Sequence, residues 1–227
     1  MIYVFDVDGT LTPSRGVILP QMKEVLDKFL EENHCVIATG SDPSKTIEQL
    51  GEETYQKFRR AFQCSGNLVM ENGEVIHKKD FMLPKEARLV IDAAIAVSAY
   101  PVKAGNHVEE RQGMMNISFV GRDCTQEQRE DYYEWDKETK QREIFCDIFN
   151  KTYPDYMAQI GGQISIDIFF KDLDKRQVRN WYPDDTLCFF GDHCQPGGND
   201  HSLAAVADII YAVSGWRDTM EFIKNEI

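Results

Sequence analysis

The chain carries no apolar run of membrane-spanning length, no block of Lys or Arg, no paired cysteine spacing, and no internal repeat or low-complexity tract. Each absence excludes a class of function. Without a long apolar stretch, or a basic leader followed by an apolar core, a soluble cytoplasmic protein with no membrane partner is expected. The charge balance is acidic, 25 Lys+Arg against 38 Asp+Glu, for a net charge of −13. With no basic patch to meet a polyphosphate backbone, no nucleic-acid partner is expected. A phosphorylated substrate would need few, clustered cations that overcome this field locally. Cys35, Cys64, Cys124, Cys146, Cys188 and Cys194 are scattered, several inside apolar strand-like runs. Such a distribution suits reduced buried thiols and not a disulfide framework. At 227 residues the chain can form one domain or two modest ones.

What is present begins at once. Ile2-Tyr3-Val4-Phe5 is a β-branched and aromatic run that ends in Asp6-Val7-Asp8-Gly9-Thr10. It reads as a buried strand delivering two carboxylates to a sheet edge, and strand alternation sends Asp6 and Asp8 to the same side. Two acids that close repel each other, so a cation or a catalytic task is what retains them. With Mg²⁺ present, Asp6 can stay ionised as a nucleophile while Asp8 gives or takes a proton. A plain strand followed by a solvated acidic turn is the competing reading.

Helical spacing follows over Pro20 to Glu32, then a strand at Cys35 to Ala38 ending in Thr39-Gly40-Ser41-Asp42. Pro43 opens a helix capped by Ser41 or Asp42, and Gly51 closes it. Strand, glycine turn and helix start together suit an anion. Ser41 and Thr39 both offer a hydroxyl for a transferring phosphoryl group, and Ser41 would serve equally as an ordinary cap. Asn72-Gly73 marks a hairpin between Leu68–Met70 and Val75–His77.

The βαβ rhythm then breaks. From about Phe81 to Phe170 the pattern is a helix over Pro84 to Ala99, strands at Val102–Arg111 and Met114–Phe119, and a capping box at Thr125–Gln128. A further helix over Glu138 to Tyr153 and two strands, Met157–Ile160 and Ile164–Phe170, complete an α+β insert. The α/β pattern resumes at Asp174, so residues 1–80 and 172–227 form one domain and 81–171 another.

Leu187 to Gly191 repeats the opening logic, an apolar strand ending in Asp192, and Gly197-Gly198-Asn199-Asp200 opens another helix. Strand carboxyl ends gather at one edge of a parallel sheet. Asp192 can therefore meet Asp6 and complete an all-oxygen Mg²⁺ site with Asp8 and Asp200. A zinc site at Cys188, His193, Cys194 and His201 lacks the spacing that tetrahedral N/S ligation requires. Lys175, just after the insert, can offset the carboxylates and a phosphoryl group if the chain returns to that edge there. In the insert, Arg111, Arg122 and Arg129 lie close in sequence and suit bidentate phosphate binding. Within Ile164–Ile168, alternation puts three isoleucines on one face and Ser165 with Asp167 on the other, where they suit sugar hydroxyls.

The order Asp6-x-Asp8-Gly-Thr, Gly40-Ser41-Asp42, Lys175, Gly191-Asp192, Gly198-Asn199-Asp200 resembles enzymes of the haloacid dehalogenase (HAD) superfamily. FDVDGTLTPSR, GSDPSKTIEQLG, ERQGMMNISFVGRDCTQEQRE, IGGQISIDIF and FFGDHCQPGGNDH extend the resemblance to the eukaryotic-type phosphomannomutases, over nearly the whole chain and including the insert. The resemblance implies an α/β fold with a HAD-like Rossmannoid core, a parallel sheet and an inserted α+β (type C2) cap. It also implies interconversion of mannose 1-phosphate and mannose 6-phosphate, with Asp6 phosphorylated, Asp8 as acid/base, Mg²⁺ as cofactor and a hexose 1,6-bisphosphate as activator. Arg15, Arg111, Arg122, Arg129, Ser165 and Asp167 would bind the hexose phosphate, and a homodimer would form through the cap. An Mg-dependent sugar-phosphate phosphatase is the alternative on the same residues.

Departures accompany the match. Gly191-Asp192-His193-Cys194 replaces the family's Gly-Asp-Lys-Thr, and Asp172-Leu173 replaces a Gly-Trp pair. The stretch after Asp200 leaves the family's pattern for an auxiliary cation loop, and the first helical region of the cap is shorter.

Overall fold

A computed structural model describes residues 1–226. The chain divides into two compact units, Met1–Lys79 with Asp172–Ile227, and Asp80–Lys171. The first unit opens with β1 (Ile2–Phe5), α1 (Pro20–Glu32), β2 (Cys35–Ala38), α2 (Pro43–Leu50), α3 (Glu52–Lys57), β3 (Arg60–Gln63), β4 (Leu68–Glu71) and β5 (Glu74–Lys78). The second holds α4 (Lys85–Val97), β6 (Val108–Arg111), β7 (Met114–Ser118), α5 (Gln126–Thr139), α6 (Gln141–Thr152), β8 (Tyr156–Ile160) and β9 (Ser165–Phe170). The chain then returns with α7 (Val178–Trp181), β10 (Leu187–Gly191), α8 (His201–Ala204), β11 (Ile209–Ala212) and α9 (Trp216–Glu226). No described helix is long and apolar enough to cross a membrane.

The first unit is built on a seven-stranded sheet, ordered β11-β10-β1-β2-β3-β4-β5. The pairs from β11 to β3 are parallel and the β4–β5 hairpin is antiparallel. Both faces of the central strands β10, β1 and β2 are buried, as a parallel sheet requires. On one face Phe5 and Ile37 pack with Met22, Leu26 and Phe29 of α1 and with Ile223 of α9. On the other, Ile2, Val4 and Val36 pack with Val178 and Leu203. Alternate side chains of one four-residue strand thus enter two cores, which is why β1 reads as an unbroken apolar run.

The second unit is an antiparallel sheet, β6-β7-β9-β8. Met115, Ile117, Ile164, Ile166 and Ile168 share a core with α4, α5 and α6 residues Ile91, Tyr132, Phe145 and Phe149. The capping box at the start of α5 forms as expected, Thr125 and Gln128 each accepting from the other's backbone N–H. Two boundaries differ from the sequence reading. The first strand begins at Val108 instead of Val102, because Gly105 takes a left-handed φ of 66° and Ala104 N–H donates to the Val120 carbonyl. The second long helix begins at Gln141 instead of Glu138, because Lys140 turns left-handed (φ 55°) and ends α5.

Candidate active site

Three neighbouring strands of the parallel sheet, β10, β1 and β2, release their chains at the same edge. β1 ends at Phe5, so Asp6 follows the strand and its N–H donates to the Phe190 carbonyl. Strand alternation therefore does not set the relation of Asp6 to Asp8. A turn does, with Gly9 at φ +91° and Asp8 in an isolated bridge to Thr12.

Asp6, Asp192 and Asp200 offer carboxylate oxygens within 4.8 Å of one another. Two glycines permit this approach. A Cβ on Gly9 would run into the Asp192 carboxylate, and one on Gly191 would meet that of Asp200. Lys175 stands at the start of the short 3₁₀ turn Lys175–Gln177 and is buried. Its Nζ donates to Asp6 Oδ1 and Asp200 Oδ1, 2.6 Å each. Burial pushes the Asp6 carboxyl up to about 8, against the lowering pull of Lys175 and with Asp200 and Asp192 adding to the rise. Asp192 is pushed up to about 6, chiefly by burial, with His193 opposing. Its Oδ1 is buried with no hydrogen-bond partner. An all-oxygen cluster in which burial disfavours the charge on Asp6 and Asp192, and which leaves one carboxylate oxygen orphaned, fits a small hard cation such as Mg²⁺.

Asp8 lies outside that group. Its Oδ1 accepts from the Arg15 backbone N–H, in a short contact, and from Gln49 Nε2 at 3.1 Å. The expectation that Asp8's carboxylate joins the metal ligands finds no support in this geometry. Arg15 is exposed, with φ 58°. After β2, Thr39 is buried and its hydroxyl accepts from the Ser41 N–H at 3.1 Å, while Ser41 is half-buried. Asp42, not Ser41, caps α2 by accepting from the Lys45 N–H. The residue at the family's lysine position, His193, sets Nε2 3.2 Å from Asp192 Oδ2. Cys188 is buried within β10, and Cys194 Sγ lies 3.4 Å from the Gly191 carbonyl.

The second unit gathers its own polar group. Register places Glu109, Asn116, Asp167 and Gln159 in one row across β6, β7, β9 and β8. The isoleucines of β9 point to the apolar core, so this row occupies the opposite face. Glu109 Oε2 takes Arg111 Nη2 at 2.7 Å and Arg122 Nε at 2.9 Å. Asn116 accepts from Arg122 in a short contact and donates to Asp167 Oδ1 at 2.5 Å. Burial lowers the pKa of Arg122, with Glu109 opposing and Arg111 and Arg129 adding to the fall. Arg111 and Arg129 therefore both act on Arg122. Burial raises that of Asp167, while Asn116, Arg111 and Arg122 pull it down. Ser165 is buried beside them on β9.

Sequence reasoning did not single out Gln49, Glu109 or Asn116. Glu109 and Asn116 could have been found from pairing register, since two residues facing each other across strands share a face. Gln49 carried no signal of its own.

A family model described as eukaryotic phosphomannomutase matches residues 22–227. The chain belongs to the eukaryotic phosphomannomutase family. "Phosphomannomutase 1" of Dictyostelium discoideum is 36% identical over 237 residues, covering 99% of this chain and 95% of that protein. A "Probable phosphomannomutase" of Caenorhabditis elegans is 37% identical over 242 residues, covering 99% and 94%. Among solved structures, a haloacid dehalogenase-like hydrolase from Bacteroides thetaiotaomicron aligns with a TM-score of 0.64 at 14% identity, covering 100% of this chain and 99% of that one. The phosphomannomutase chain thus has a HAD-like core with an inserted α+β cap.

Proposed function

We propose that this enzyme interconverts mannose 1-phosphate and mannose 6-phosphate by phosphoryl transfer through Asp6. The observation that carries the reading is the buried Lys175 ammonium clamped between Asp6 and Asp200. A lysine there holds the nucleophile's carboxylate in place and meets the negative charge of an arriving phosphoryl group. Mg²⁺, when bound by Asp6, Asp192 and Asp200, would neutralise phosphoryl oxygens.

Asp6 attacks phosphorus, the bond from phosphorus to the sugar oxygen breaks, and Asp8 gives that oxygen a proton. The products are an aspartyl phosphate and a free hydroxyl. In the return step a sugar hydroxyl attacks the aspartyl phosphate and Asp8 takes its proton back. A hexose 1,6-bisphosphate both primes Asp6 and forms midway through each cycle. Ser41 supplies a hydroxyl to the transferring group, since it is half-buried where Thr39 is 2% exposed. Arg15, Arg111, Arg122 and Arg129 hold the phosphate that is not reacting, and Ser165 and Asp167 hold sugar hydroxyls. Sugar hydroxyls in place of water as acceptors are what separate a mutase from a phosphatase.

The test is a coupled assay of mannose 1-phosphate conversion, with and without hexose 1,6-bisphosphate, alongside inorganic phosphate release. Bisphosphate-stimulated conversion exceeding phosphate release is expected, and Asp6→Asn should lose about four orders of magnitude or more. Phosphate release as the main product would overturn the reading in favour of a phosphatase.

A further inference from the structure

We infer that Gln49 is a positioning residue for Asp8, holding the acid/base carboxylate on its Oδ1 so that Oδ2 faces the reaction. The inference rests on the proposed phosphoryl transfer and goes beyond it. Gln49 lies on α2, is 2% exposed, and sends its amide Nε2 into the loop that follows β1. There it reaches Asp8 Oδ1 at 3.1 Å, the Gly16 carbonyl at 3.3 Å and Thr12 Oγ1 at 3.4 Å. Turning the amide over would aim its oxygen at a carboxylate and a carbonyl, so these acceptors fix its orientation. The Gln49 backbone carbonyl accepts from the Ile18 N–H at 2.7 Å, tying the far end of the same loop to α2.

The Asp8 carboxylate is thus fixed by two donors on one oxygen, the Arg15 N–H and Gln49 Nε2. No donor among the described residues reaches Oδ2. A carboxylate that must pass a proton to and from a sugar oxygen has to keep one oxygen available at a constant angle, and pinning the other one does this.

A second observation separates this role from loop stapling. Gln49 Oε1 is buried with no hydrogen-bond partner. An orphaned buried carbonyl opposes folding, and an apolar side chain of the same length would remove it. The orphan offsets part of what the Gly16 and Thr12 contacts contribute, so stapling alone is a weak reason for glutamine here, whereas a donor aimed at Asp8 is a direct one.

The experiment uses Gln49→Met in the full-length enzyme with two phosphoryl donors. Hexose 1,6-bisphosphate releases a sugar hydroxyl and needs a proton from Asp8. Acetyl phosphate releases a stable carboxylate and does not. The variant should lose about 10- to 100-fold in kcat with the hexose substrate, with KM within about two-fold of wild type, the scale of a misaligned catalytic group. Its rate of Asp6 phosphorylation by acetyl phosphate should stay within about two-fold. Adding Gln49→Met to Asp8→Asn should cost nothing further, because a residue acting through another has no effect once that other is gone. Equal losses with both donors, or additive losses in the double variant, would overturn the inference and leave a structural staple. If wild type itself fails to convert mannose 1-phosphate while Gln49→Met still shows the donor-dependent split in Asp6 phosphorylation, the mutase reading fails and the positioning role stands.

Discussion

Lys175→Met is the most searching perturbation of the core. It removes a charge from a side chain that is 2% exposed and leaves Asp6 and Asp200 facing each other at 2% and 0% exposure. Removing one partner of a buried ion pair costs about 3–5 kcal/mol, because the remaining charge is neither solvated nor paired. The two carboxylates have one escape, which is to take up protons. Asp6 is already raised to about 8, with the lysine as the strongest opposing influence, so without it the carboxyl rises further. A carboxyl whose folded value exceeds its unfolded one binds more protons folded than unfolded, and stability falls as pH rises through that interval. In cation-free wild type this loss runs from about pH 4 to about pH 8. In Lys175→Met it continues above that. The lysine's own contribution, raised as it is by Asp200 and Asp6, is present throughout this range in wild type and absent from the variant. The deficit should therefore grow from pH 6 to pH 9 and approach the full ~3–5 kcal/mol near pH 9. Urea denaturation in EDTA, followed through Trp181 and Trp216 of the core, measures it at both values. A deficit under about 1 kcal/mol at pH 9, or one equal at the two pH values, refutes the coupling of these three groups.

Two further outcomes follow from the same geometry. Mg²⁺ must displace protons from Asp6 and Asp192, raised to about 8 and about 6, so its stabilising effect should grow from pH 6 to pH 8. At a concentration about 100-fold above Kd it should reach about 2.7 kcal/mol in thermal melts with and without EDTA, and Asp192→Asn should remove most of it. In the insert, Asn116→Leu leaves Asp167 and Arg122 each short of a buried partner. KM for hexose phosphate should rise about 10-fold, equivalent to about 1.4 kcal/mol, with acetyl phosphate labelling of Asp6 unchanged.

Much of this was readable from residue order because the core obeys local rules. α1 and β2 fall where helical spacing and the apolar run place them, at Pro20–Glu32 and Cys35–Ala38. The isoleucines of β9 alternate into the core as a half-buried strand must. What was not legible depends on tertiary approach. Residue order ties Lys175 to the sheet edge only on condition that the chain return there, and its place between Asp6 and Asp200 meets that condition. Asp8 shares a motif with Asp6, but the left-handed Gly9 turns it toward Gln49 of another element, 41 residues on. Glu109, inside a run of mixed charge, acquires its role only when pairing sets it opposite Asn116. Periodicity reports which face a residue occupies, and says nothing of what arrives there from elsewhere in the chain.

The proposed function asks a chain of net charge −13 to receive a dianion. The cations proposed to meet phosphate are paired in advance, Lys175 with Asp6 and Asp200, and Arg111 and Arg122 with the single carboxylate of Glu109. Pairing keeps neighbouring guanidinium groups from repelling one another and fixes their forks, so little side-chain entropy remains to be lost on binding. It also imposes a competition, because an incoming phosphate meets arginines already hydrogen-bonded to a carboxylate. Guanidinium carries five donors, and Arg122 can keep Glu109 on Nε and Asn116 on Nη1 while turning others to the ligand. A lysine in its place has three donors on a single nitrogen, so with Glu109 and Asn116 kept only one would remain, and no planar fork. If the proposed distal phosphate binds here, it would depend on arginine for geometry as much as for charge, and Arg122→Lys should raise KM for the hexose phosphate.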